Sequence, residues 1–141
     1  MMKKWDISKI SVACQITDKI FGKLVRGLKK KEFKTELDIS KFLKKETLRL
    51  GCKLAFKPIV ATGKNGFEIH HKPNNSKLGK GFLVVDFGVK YKGYCSDCTR
   101  TFYIGKPNKK EQMLYNLVLE AQLTALQHVY PGVYAADIDL I

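Results

Sequence analysis

Arginine is scarce in this sequence. Of 26 basic residues only Arg26, Arg49 and Arg100 are arginine, and the rest are lysine. The guanidinium group is the side chain suited to bidentate recognition of bases and phosphates. Its near absence argues against nucleic-acid binding as the main function, although a net charge of +13 keeps that alternative in view. The lysines are scattered, with short runs such as 29–31, and read as a solvated surface. No apolar run approaches the roughly 20 residues that span a bilayer. The opening MMKKWDISKI lacks the apolar core of a secretory leader. The expectation is a soluble, cytoplasmic chain with no membrane partner, in which disulfides are uncommon. Internal repeats and low-complexity segments are absent too.

A second Cys-x-x-Cys is also missing. The four cysteines are Cys14, Cys52, Cys95 and Cys98, and only the last two are closely spaced. A zinc knuckle needs two further ligands at matching spacing. A redox pair belongs at a helix start, yet Thr-Arg-Thr-Phe-Tyr-Ile follows Cys98, a strand-like run. Three residues apart on a strand, the two sulfurs point to opposite faces, one packing inside and one on the outer or site face.

With 141 residues and 45% apolar content, the chain is expected to fold as one domain, 1–141. Residues 6–30 have helical periodicity in Ile7, Ile10, Cys14, Ile20, Phe21, Leu24, Val25 and Leu28, with Asp6 as a cap. Thr35 and Asp38 form a capping-box variant that starts a second helix, and Gly51 stops it. KLAFKPIVATG reads as a strand interrupted by Pro58, hence at a sheet edge or bulged. A polar loop follows, then a buried strand at 82–89 and its return at 94–105. Pro107 and Asn108 open a third helix with Met113, Leu114, Leu117, Val118, Ala121, Ala125 and Val129 on its apolar face. Pro131 and Gly132 end it. The fold class is α+β.

The strand and its return raise the central chemical question. If KYKG connects them, Val89 pairs with Tyr94, and Asp86 stands directly opposite Asp97. Opposed carboxylates destabilise a strand pair unless one is protonated or a cation lies between them. Two carboxylates converging in an apolar setting suit Mn²⁺, Co²⁺, Mg²⁺ or Zn²⁺. The competing reading of Asp86 is a carboxylate that caps a strand end or turn. His70 and His71 precede this strand and are proton carriers, metal ligands or exposed loop residues. His128 reads as a helix C-terminal histidine favoured by the dipole.

PIVATGKNGFEIHHKP, VVDFGVKYKGYCSDCTRTFYIG and VYPGVYAADID, with the TELDI stretch, resemble the catalytic domain of the M24 pita-bread metallopeptidases. SDxTRT and IVATGxN point to the Xaa-Pro aminopeptidase and Xaa-Pro dipeptidase (prolidase) branch. The resemblance implies the N-terminal half of a pita-bread fold: two helices, antiparallel strands with a metal-site hairpin, and a helix. It implies a site for two divalent ions (Mn, Co or Zn) in which Asp86 and Asp97 are the first two of five ligands. It gives His70 a contact to substrate and transition state, with His71 as the adjoining alternative, and places Phe56 in the substrate pocket. The other ligands, a histidine and two glutamates, belong to a half not represented here, so metal binding by this chain alone is expected to be weak. The expected function is therefore one half of an Xaa-Pro metallo-aminopeptidase acting on peptides, completed by a separately encoded C-terminal half or by homodimerisation. The alternatives are an inactive truncated product or a binding module for protein or nucleic acid.

Overall fold

The computed structural model describes residues 6–140. Residues 1–5, part of the segment on which the leader reading rests, and Ile141 lie outside the described residues. Among the described residues no helix is long and apolar enough to cross a membrane. The chain divides into two compact units, one ending at Gly105 and the other beginning at Lys106.

The first unit opens with α1 (Ile7–Lys29), capped by Asp6, whose carboxylate accepts from the Lys9 amide. Its buried stripe is Ala13, Thr17, Ile20, Phe21, Leu24 and Gly27. Ile7 and Cys14, expected on that face, are exposed. The stripe is shifted because Thr17 is a core residue: its hydroxyl donates to the Ala13 carbonyl at 3.0 Å, which satisfies it in the interior. Helix α2 (Glu36–Arg49) starts with both capping-box bonds between Thr35 and Asp38. Gly51, at φ 71°, terminates it in the left-handed region. A Lys23–Glu46 ion pair links the two helices.

Among the described residues, six antiparallel strands form two three-stranded sheets. β1 (Lys53–Leu54), β4 (Val89–Tyr91) and β5 (Tyr94–Cys95) make one, in the order β1-β4-β5. β2 (Ile59–Thr62), β3 (Gly81–Phe87) and β6 (Cys98–Ile104) make the other, in the order β2-β3-β6. The break at Pro58 thus separates two edge strands of different sheets. Leu83, Val85 and Phe87 of β3 point into the core, where the Phe87 and Phe21 rings lie 4.9 Å apart. The alternate residues, Val84 and Asp86, face the other side.

The expected register is corrected here. The hairpin turns on two residues, Lys92 and Gly93, with φ of 46° and 89°, not on the four of KYKG. Both are left-handed, matching the tight hairpin turns whose twist suits antiparallel strands. Tyr91 therefore pairs with Tyr94, and Asp86 lies opposite Thr99, not Asp97. The expected continuous strand 82–89 is also broken, at Gly88, where the pairing passes from one sheet to the other.

Ser96 explains the break. Its amide donates to the Val89 carbonyl at 3.0 Å, but the Val89 amide donates back to the Ser96 side-chain Oγ at 3.0 Å. The hydroxyl has replaced its own carbonyl in the ladder. That carbonyl points at Gly88 instead, so closely that a Cβ there would sit 1.9 Å from it. The Ser96 hydroxyl also meets Thr17 of α1 at 2.6 Å, fixing the hairpin to the helix.

The second unit comprises α3 (Lys109–Gln127), with a capping box between Asn108 and Glu111, and α4 (Ala135–Asp139). His128 caps the end of α3, its Nδ1 lying 2.8 Å from the Thr124 carbonyl oxygen. Met113, Leu114, Leu117, Val118 and Val129 are exposed, so the expected apolar face exists but is uncovered.

Gly88→Ala should lower stability by about 1–3 kcal/mol, the usual cost of forcing atoms into a packed interior. Urea denaturation of the single variant and of Gly88→Ala/Ser96→Gly measures it. Removing the hydroxymethyl group should give no relief, because the clash is with the Ser96 main chain.

Candidate metallopeptidase site

A cleft of about 1100 Å³ opens in the first unit. Phe56, His70, His71, Asp86 and Asp97 all line it, together with Lys44, Lys57 and Lys72. The residues singled out in the sequence therefore meet in one place.

Asp86 sits on β3, the central strand of its sheet, between Ile59 and Thr99. It is half-buried, and its Oδ1 accepts from the Thr99 hydroxyl at 2.9 Å. Asp97 is exposed and one step along the same side of the hairpin. Burial pushes the Asp86 carboxyl above the ordinary range. The Thr99 hydroxyl opposes this, and the neighbouring Asp97 carboxyl adds to the rise. The two carboxylates thus crowd each other at a diagonal, without direct opposition. Crowded carboxylates on one face form an all-oxygen donor pair that fits a hard or borderline divalent cation. Among the described residues no cluster of three or more His, Cys, Asp or Glu is poised for a metal. Phe56 is half-buried and packs over Gly88, two residues from Asp86.

The cysteines stand apart from this chemistry. All four are free thiols. Cys95 is exposed, and Cys98 packs against the core, where burial raises its pKa.

The two histidines have opposite environments. His70 is exposed in the cleft. His71 is buried, with Nε2 2.8 Å from Glu36 and Nδ1 3.0 Å from Glu68. Both ring nitrogens of His71 are engaged, which leaves His70 as the histidine facing open space. Nothing in the sequence marks Glu36, which reads there as an ordinary acidic residue in the first turn of a helix. It is fully buried. It accepts from the Thr62 amide and Asn65 Nδ2 at 2.8 Å each, and from the Asn74 amide at 3.1 Å. Burial pushes its carboxyl up, but the hydrogen bonds from Asn65, His71, Thr62 and Asn74 outweigh that and hold it below the ordinary range. Burial likewise pushes His71 down, and Glu36 and Glu68 reverse the sign and raise it.

These opposite shifts fix a pH signature. The raised His71 contributes stability that is complete below its unfolded value of about 6.5 and is lost as pH rises through the higher folded value. The depressed Glu36 contributes stability present above its unfolded value of about 4.5 and lost as pH falls through the lower folded value. Thermal melts of wild type and His71→Gln should therefore differ most between about pH 4.5 and 6.5 and converge on the alkaline side. A difference that instead grows above neutral pH would contradict the charged pairing.

Comparison with known proteins identifies the family. Residues 8–141 match metallopeptidase family M24. A putative Xaa-Pro aminopeptidase of Mycoplasma genitalium is 42% identical over 140 residues, covering 96% of this chain and 39% of that protein. The counterpart in Mycoplasma pneumoniae is 39% identical with the same coverage. Among solved structures, the Xaa-Pro dipeptidase from Bacillus anthracis superimposes with a TM-score of 0.85 at 32% identity, over 94% of this chain and 38% of that one. The prolidase from Pyrococcus furiosus gives 0.85 at 31% identity, over 97% and 41%. The α+β arrangement is that of the pita-bread enzymes, and the chain spans about two-fifths of the length of these relatives. It belongs to metallopeptidase family M24.

Proposed function

We propose that this chain supplies one half of a metal-dependent Xaa-Pro peptidase site, the half that carries Asp86 and Asp97. The observation behind this reading is their convergence in one cleft with His70 and Phe56. Asp86 and Asp97 hold part of a dinuclear site for two divalent ions such as Mn²⁺, Co²⁺ or Zn²⁺. The remaining ligands, a histidine and two glutamates, come from a complementary half. When bound, such ions lower the pKa of water and polarise a carbonyl.

The chain's own residues then have separate tasks. Asp86 and Asp97 are acceptor-only when ionised and present oxygens to cations. The Thr99 hydroxyl orients Asp86 by donating to one oxygen, leaving the other for a ligand. His70 faces the cleft as a donor for the oxygen of the scissile carbonyl, where negative charge develops during hydrolysis. Phe56 forms an apolar wall beside the carboxylates and limits water there. The peptide's free amine is drawn toward the acidic end of the cleft, which favours removal of an N-terminal residue over internal cleavage.

The exposed apolar residues of α3 support a second element of the proposal. Leu117 and Val118 are each more than 60% exposed, and such surface is ordinarily covered by a partner. The complementary half covers it, and a second copy of the chain does so in its absence. In sedimentation equilibrium the isolated chain is expected to self-associate, and Leu117→Glu/Val118→Glu to weaken that association. A wild-type chain that stays monomeric throughout the concentration range contradicts this covering role.

Catalysis is tested by purifying the chain with a half carrying the missing ligands and assaying Xaa-Pro peptides with Mn²⁺ or Co²⁺. Only the pair should hydrolyse them. Asp97→Asn should abolish metal retention and turnover together. His70→Ala should leave metal content intact and lower kcat by about 100- to 1000-fold, as for loss of one oxyanion donor. Unchanged turnover in Asp97→Asn would sink the metal assignment.

A further inference from the structure

The segment 62–74 carries His70 but has little to hold it in place. Phe67 and Ile69, just ahead of His70, are 89% and 84% exposed and contribute almost no packing. Its attachment is polar and converges on one group, the Glu36 carboxylate at the start of α2. Oε1 accepts from the Thr62 amide and from Asn65, and Oε2 accepts from the Asn74 amide and pairs with His71. Both ends and the middle of the segment hang from a single buried carboxylate. The neighbouring strip reinforces it: Glu36 and Leu37 amides donate to the Ser76 and Asn74 carbonyls, and Asn65 reaches Ser76 Oγ at 3.1 Å.

A buried ion pair is a poor way to gain stability. Desolvation of both partners offsets much of their attraction, and apolar residues of similar volume serve as well or better. What a pair with both ring nitrogens engaged does supply is a fixed ring orientation and a fixed backbone at the adjoining residue. That residue is His70.

We propose that Glu36 and His71 are a positioning pair that pins segment 62–74 and thereby presents His70 to a peptide bound beside Asp86 and Asp97, while neither member of the pair touches that peptide. The geometry stands independently of the peptidase reading, but the identity of the ligand rests on it. Glu68 completes the arrangement by holding the second ring nitrogen from the exposed side.

Imidazole ¹H–¹⁵N NMR of the 141-residue chain tests the positioning without any assay. In wild type His71 should show two protonated ring nitrogens, and His70 a single narrow set of signals. His71→Gln keeps one amide donor for Glu36 and loses the contact to Glu68. It should broaden or split the His70 signals while the backbone amide signal of Phe87 in the core stays unchanged. Glu68→Ala, at a side chain 69% exposed, removes only the outer contact and covers the case in which His71→Gln fails to fold. In the completed enzyme His71→Gln should lower kcat by about 100-fold, the scale of a misplacement of about 1 Å, with KM and metal content within about twofold. Unaltered His70 signals in a folded His71→Gln or Glu68→Ala chain overturn the proposal. So does a loss of kcat that only tracks the folded fraction. If the NMR result holds while the wild-type assembly hydrolyses nothing, the positioning pair stands and the peptidase reading falls.

Discussion

A carboxylate with no exposed surface organises this structure. Glu36 is placed by the capping box that starts α2, because the turn that satisfies Thr35 and Asp38 also aims the first helical residue inward. Once buried, an ionised carboxylate must find donors, since leaving it unpaired costs far more than any single hydrogen bond returns. Four donors from residues 62–74 answer that demand. The end of β2, the 3-10 turn Gly63–Phe67 and the loop beyond it are thus held by electrostatics in a region where apolar contact is thin. One wall of the cleft follows from this, and with it the place of His70.

The opposite wall comes from a different device. The Asp86–Asp97 side is set by backbone geometry: a two-residue left-handed turn, a glycine with no room for a Cβ, and a serine hydroxyl standing in for a carbonyl. These decide where each carboxylate points more than any attraction between them, for they repel. Keeping like charges close costs folding energy, which a bound cation would offset. The cleft therefore joins a charge-held loop to a sterically held hairpin, each anchored to a different helix: α2 through Glu36 and α1 through Thr17.

Much of this was legible in the sequence. Helices α1 and α2 followed from periodicity and caps, and the carboxylates and histidines from spacing and resemblance. The hairpin register was not. Asn-Gly or Asp-Gly would have announced a two-residue turn, whereas Lys92 enters the left-handed region without that signal. The longer connection moved the pairing by two residues. Both carboxylates stayed on one face only because a slip of two preserves side-chain parity. Thr17 is not recognisable as a core residue, because a hydroxyl looks like surface until its partners are known. Glu36 was invisible for the same reason on a longer scale: its partners lie 26 to 38 residues away, and nothing local marks a helical glutamate as buried.

The Thr17–Ser96 contact has a kinetic side. It joins residues 79 apart in sequence, and through Ser96 it stabilises the kink from which Asp97 projects. A hairpin closes in microseconds, but closure over such a span waits on the entropy of the whole intervening chain. Strand pairing alone leaves the kink without its anchor. The geometry of the acidic pair is therefore complete only once α1 has docked against the hairpin.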